Sequence, residues 1–324
     1  MLIYILCTPV FFYSCNKSRL NLNQKPETFE LDSSQKIKET ITYNSENSEF
    51  SQINDYGILF GKIHDNKEWI IIRQFKNQGN NLFYLTVNIN NLNTSIVKGD
   101  TITVQKIDFK EIINSSNSYY ANLLNEVKTN NNFWKGLSFI DKDKYILTAD
   151  LCPSKKSLDL DFINYLQKNS ITPLYICISG KWMLNHKRDF EYLKSIKGID
   201  IIWVNHSYNH RYIKNISNNQ NFLLLPNTNV EDEVLSNEKL MIENGILPSP
   251  FFRFPGLIAD ENLFNQVISM GLIPLGSNAW LSKGEKIGKG SIILLHINGN
   301  DKIGLNIFHN FYQEKKINPT YIVN

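Results

Sequence analysis

The sequence predicts an α/β fold in which parallel strands are joined by crossover helices, open or closed into a barrel, and preceded by a small β-rich domain. Three observations point there. Over residues 142–324, short apolar runs alternate with longer amphipathic stretches, which is the pattern of strands and crossover helices. Over residues 53–141, short β-branched and aromatic runs are separated by turn residues. A chain of 324 residues with 42% hydrophobic content can bury one large core or two smaller ones. The formal charge of +3, with no basic run interleaved with aromatics, excludes a nucleic-acid partner.

In chain order, Leu2 to Tyr13 is apolar but shorter than the roughly 20 residues a spanning helix needs. It fits the hydrophobic region of a signal peptide, although no Lys or Arg precedes it. Phe12-Tyr13-Ser14-Cys15 resembles a bacterial lipoprotein cleavage box with bulkier residues than usual at its first two positions, which implies that Cys15 becomes the lipidated N-terminus; the alternatives are an ordinary cleaved signal or a buried apolar start. Residues 1–15 thus read as the signal and residues 16–52, polar and rich in serine and asparagine, as a tether. The expected location is the cell envelope, with the membrane reached through the N-terminal lipid only.

In the β-rich part, Ile58 to Ile63, Trp69 to Phe75, Leu82 to Ile89 and Thr101 to Ile107 read as strands. Asp65-Asn66, Asn90-Asn91 and Lys98-Gly99-Asp100 supply the turns, and the lone His64 is solvated. Ser115 to Trp134 reads as a loose helix followed by an asparagine-rich connection. From residue 142 the expected order is strand 144–150, helix 158–168, strand 172–179, helix 186–196 and strand 199–206. A helix at 230–244, a strand at 250–254, a helix at 260–270 and strands at 272–277 and 291–296 follow.

Several of these strands end in a residue able to do chemistry. Asn205-His206-Ser207-Tyr208-Asn209-His210 follows the apolar run 199–204, and two histidines four apart can converge on one metal ion. The alternative is that one histidine caps a turn and the other is solvated. Asp150 ends the run Tyr145 to Ala149, Arg253 stands among aromatics in Phe251 to Phe254, and His296 ends Ile292 to Leu295. The mouth of a sheet is where α/β proteins keep their chemistry.

These residues resemble the polysaccharide deacetylases of the NodB-homology type. The resemblance covers the C-terminal 180 or so residues and leaves the preceding part unexplained. Thr148-Ala149-Asp150-Leu151-Cys152-Pro153-Ser154 aligns with that family's Thr-Phe-Asp-Asp-Gly-Pro-Ser, and His206-Ser207-Tyr208-Asn209-His210 meets its His-Ser/Thr-x-x-His in full. Arg253-Phe254-Pro255-Gly256 matches the arginine motif, Asn278-Ala279-Trp280 part of a fourth, and Leu295-His296 the fifth.

The resemblance implies a distorted (β/α) barrel and a metal-dependent hydrolase that removes N-acetyl groups from a glycan. His206 and His210 would hold a divalent ion, zinc by expectation. Asp150 would be the general base, His296 the general acid and Arg253 the partner of Asp150. Trp280, Leu295 and Pro255 would border the substrate.

One departure matters, because Leu151 occupies the position of the family's third metal ligand. Asp150 could then serve the metal, two histidines could bind a weaker one, or the site could be inactive and the barrel act as a glycan-binding module. Cys152, one residue on, carries a soft thiolate that would suit zinc, but it aligns with a glycine of a tight turn in the family, which counts against it as a ligand. If Cys7 leaves with the signal and Cys15 is lipidated, Cys152 and Cys177 remain, either as a disulfide or as two buried small side chains.

Overall fold

The computed structural model describes residues 48–115, 117–129 and 136–323. The signal, Cys15 and all but the last few tether residues lie outside them. Strands β1 (Ile53–Ile63), β2 (Asn66–Asn77), β3 (Leu82–Asn88), β4 (Thr94–Lys98) and β5 (Val104–Lys106) form an antiparallel sheet in the order β4-β3-β2-β1-β5. The run 101–107 is a strand only over β5, and β4 lies where no strand was expected. Two helices follow, α1 (Phe109–Ile113) and α2 (Tyr119–Thr129).

The chain then alternates as expected. Strand β6 (Ile146–Leu151) leads to helix α3 (Leu160–Lys168), and β7 (Leu174–Ile178) to α4 (Gly180–Asn185) and α5 (Lys187–Ser195). Strand β8 (Ile201–Asn205) leads to α6 (Val230–Glu243), and β9 (Phe251–Phe252) to α7 (Glu261–Ser269). Strands β10 (Ile273–Pro274), β11 (Ala279–Trp280) and β12 (Ile292–His296) precede α8 (Lys302–Lys315), a helix that the sequence reading omits. The seven strands make a parallel sheet, a half-barrel, in the order β10-β9-β8-β7-β6-β12-β11.

The register of this sheet decides what can meet at its mouth. Asp150 pairs with His296 on one side and with Cys177 on the other, and Ile178 pairs with Asn205. Paired residues on parallel strands share a face, and neighbours along a strand alternate faces. Ile146, Thr148, Asp150 and Cys177 therefore share one face; Leu147, Ala149, Leu151, Ile176 and Ile178 share the other.

That second face packs under α3, α4, α5 and α8 through Phe162, Trp182, Phe190 and Phe308. Because both faces are covered, β6 and β7 are buried along their whole length, which is why they read as continuous apolar runs. On the first face an apolar core extends from Ile146 and Tyr175 through Phe252 and Phe264 to Phe75 and Phe83 of the antiparallel sheet. Where α6 meets β2, the buried guanidinium of Arg73 donates to Glu238 at 2.7 and 3.1 Å, and Tyr56 donates to the same carboxylate at 3.0 Å. Neither charge is left unpaired. Among the described residues, no helix is long and apolar enough to cross a membrane.

Candidate functional site

The site begins with a buried carboxylate and its partner. Asp150 is 3% exposed, and the Arg253 guanidinium, fully buried on the loop after β9, donates to its Oδ1 at 3.1 Å. The other Arg253 donors go to Thr148 Oγ1 and to the carbonyls of Leu275 and Gly276. With four acceptors around it, the guanidinium is fixed, and it fixes Asp150 in turn. The expected Asp150–Arg253 pair is present.

The two histidines lie on the loop leaving β8. His206 Nδ1 lies 2.8 Å from the Arg253 carbonyl oxygen. A carbonyl only accepts, so Nδ1 carries a proton, which leaves Nε2 as the ring nitrogen able to bind something else. His210 packs its ring 4.6 Å from that of His206, and its Nε2 is buried without a hydrogen-bond partner among the described residues. Ser207 and His210 both take positive φ, +62° and +45°, a region costly to side-chain-bearing residues.

That strained loop is braced from three sides. Asn205 Oδ1 accepts from Ser207 N and Asn237 Nδ2, while Glu233 accepts from both the backbone and the side-chain amide of Asn209. Gly180 N donates to the Ser207 carbonyl, and a Cβ at Gly180 would stand 2.5 Å from the Tyr208 ring, so only glycine lets α4 approach the loop this closely.

The first-motif alignment is corrected here. Strand β6 continues through Leu151, whose side chain is fully buried among the helix-side residues Leu147, Ile178 and Trp182. Leu151 faces away from the two histidines. Cys152, two residues beyond Asp150, takes the vacated place: its Sγ lies 3.4 Å from His206 Nε2. Ligand atoms of Cys152, His206 and His210 all lie within 4.8 Å of one another, and so do those of Asp150, Cys152 and His296. Burial alone would raise the Cys152 thiol, but the rings of His210 and His206 hold it well below its usual value. Cys152 and Cys177 are both free, so they form no disulfide; burial pushes the Cys177 thiol well up.

His296 stands beside Asp150 with Trp280 tilted against its ring at 5.7 Å. The Lys283 ammonium covers the Trp280 ring at 3.5 Å. Burial would depress His296, but Asp301, with Oδ2 3.6 Å from Nδ1, together with Cys152 and Asp150, raises it to about 10. Asp301 also accepts from His296 N and from Gly304 N as the cap of α8.

An Asp301→Asn change keeps an acceptor for that cap and removes the charge holding the proton. A raised pKa falls when its anionic partner goes, so the titration of the His296 ring, followed by NMR, is expected to move to lower pH by about one unit or more. An unmoved titration would show that Asp301 does not set the His296 proton.

Two other residues expected to border the substrate stand elsewhere. Leu295 is fully buried on the helix side with Ile293, the face opposite His296; Leu294, two residues before His296, shares its face instead. Pro255 is buried at the start of a single turn, Pro255–Leu257, where it sets the path of the chain after Arg253. Sequence reasoning set Cys152 aside because the motif has a glycine there, and it missed Asn205, Glu233, Asn237 and Asp301 as supports of the site.

No family model matches the chain. Solved structures similar to it include a family 4 carbohydrate esterase from Bacillus anthracis, at 18% identity over 64% of this chain and 90% of that one, TM-score 0.46. PdaA of Bacillus subtilis, a family 4 carbohydrate esterase, is 13% identical over 60% of this chain and 83% of that one, TM-score 0.41. A family 4 pseudoenzyme from Bacillus anthracis is 15% identical over 55% and 63%, TM-score 0.41. These structures belong to the NodB-type polysaccharide deacetylases, the family that the motifs of this chain resemble, and the likeness covers part of the chain.

Proposed function

We propose that this protein is a metal-dependent hydrolase that removes N-acetyl groups from a glycan, working at the envelope side of a membrane to which Cys15 anchors it. The observation that carries this reading is the convergence of Asp150, His206, His210 and His296 at one end of the parallel sheet, with Arg253 holding Asp150.

The residues fit a divalent ion. His206 carries a proton on Nδ1, which leaves Nε2, 3.4 Å from Cys152 Sγ, as the nitrogen that can coordinate, and His210 has a buried Nε2 with no hydrogen-bond partner among the described residues. Bound there by His206 and His210, the ion would supply Lewis acidity that polarises the amide carbonyl and eases deprotonation of water.

The protein groups do the rest. Asp150, oriented by Arg253, takes a proton as the water oxygen bonds to the acetyl carbon. His296 gives a proton to the nitrogen as the C–N bond breaks, so acetate and a free amine leave. Trp280, half-buried beside His296, offers a ring face to the sugar.

A second reading has its own support. The side chain of Leu151 lies in the apolar core, so the carboxylate ligand the family would place there is missing, and a barrel without metal could bind glycan through Trp280 without cleaving it. Metal content separates the two. Purified full-length protein is expected to hold one zinc-class ion per chain, and a His206→Ala, His210→Ala double variant none, with an unchanged circular dichroism spectrum. Metal-free wild type that still binds glycan would favour the binding module.

A further inference from the structure

We infer that the Cys152 thiolate is the third protein ligand of the metal, making this a His2Cys centre that selects zinc or cobalt over hard cations such as magnesium. The inference rests on the metal-dependent reading above and deepens it. A leucine at the motif's ligand position leaves two imidazoles, a sparse set for a tightly held ion. The strand supplies the remedy. By extending one residue further, β6 turns Leu151 into the helix-side core and brings Cys152 round, after Asp150, to the face of the histidines.

Two groupings share the Cys152 sulfur, and their surroundings distinguish them. In the grouping with Asp150 and His296, the carboxylate is already engaged by Arg253, and His296 has Asp301 beside its Nδ1. In the grouping with His206 and His210, one ring has Nε2 left to coordinate and the other has an orphaned buried nitrogen. An unsatisfied polar atom buried beside a thiol and a second imidazole is costly unless something binds there. A soft sulfur with two imidazoles suits zinc and cobalt, whereas oxygen ligands suit magnesium and calcium.

The test is a cobalt(II) titration of the full-length, metal-stripped protein, followed by absorption and by competition with a chelator. Wild type is expected to bind one cobalt with a near-ultraviolet sulfur-to-cobalt charge-transfer band and a four-coordinate visible spectrum. Cys152→Ser should lose the charge-transfer band and weaken cobalt binding by more than the roughly 10- to 100-fold typical of outer-shell changes. Cys152→Asp should restore binding without the band and gain affinity for magnesium relative to zinc. If Cys152→Ser binds as wild type does, or if wild type binds one cobalt through histidines without the band, the thiolate assignment fails while the metal-dependent reading stands. If wild type binds no cobalt at all, both fall.

Discussion

Replacing Leu151 by aspartate, the residue that the family motif carries, is expected to destabilise the protein by roughly 4 kcal/mol or more and to leave metal affinity unchanged. Leu151 is fully buried beside its strand partner Ile178, in the helix-side core that also holds Trp182. Truncating a buried leucine costs about 2–5 kcal/mol on its own, and an aspartate there would also have to protonate or remain an unpaired buried charge. The face of β6 that it occupies points to the helices, so no rotamer carries the carboxylate to the histidines. Urea unfolding gives the stability and cobalt titration the affinity. A stable Leu151→Asp protein that binds metal more tightly would mean that residue 151 faces the site.

Arg253→Met is expected to cost about 3–5 kcal/mol of stability, because it leaves Asp150 as a buried charge without its partner. It also strips donors from Thr148 Oγ1 and from the Leu275 and Gly276 carbonyls. Turnover should fall by about 10²- to 10⁴-fold, the range for losing a positioned base. Adding Asp150→Asn to Arg253→Met removes the stranded charge, so the double variant should regain part of the stability and none of the activity. A single Arg253→Met protein as stable as wild type would show that the pair does not hold the site together.

Much of this was legible in the sequence. Apolar runs ending at Asp150, near His206 and at His296 gave the strands, because a strand covered on both faces must be apolar throughout. The histidine loop was legible because its two histidines are four positions apart in the chain.

The error at Leu151 has a local cause. A motif alignment takes the strand to end at Asp150, whereas Leu151 gains enough by burial to extend β6 by one residue. Period-two alternation from Asp150 would have pointed to Cys152, and the same count from His296 to Leu294 instead of Leu295. The supports were not legible for a different reason. Glu233 braces Asn209 from 24 residues away and Asn237 braces Asn205 from 32, and no local pattern announces an isolated polar residue whose partner the fold supplies. Helix α8 went unread, although Asp301 caps it and Leu305, Phe308 and Tyr312 bury one face of it.

Acetate release tests the central claim most directly. Full-length wild type, metal-stripped and then given zinc, is incubated with N-acetylated oligosaccharides, including peptidoglycan fragments, beside an Asp150→Asn variant. The expected result is acetate and free amine in equal amounts from the zinc-loaded wild type, none from the stripped protein, and a rate lower by about 10²- to 10⁴-fold in Asp150→Asn at undiminished metal content. Zinc-loaded wild type that binds these glycans yet releases no acetate would contradict the hydrolase reading and leave a glycan-binding barrel in its place.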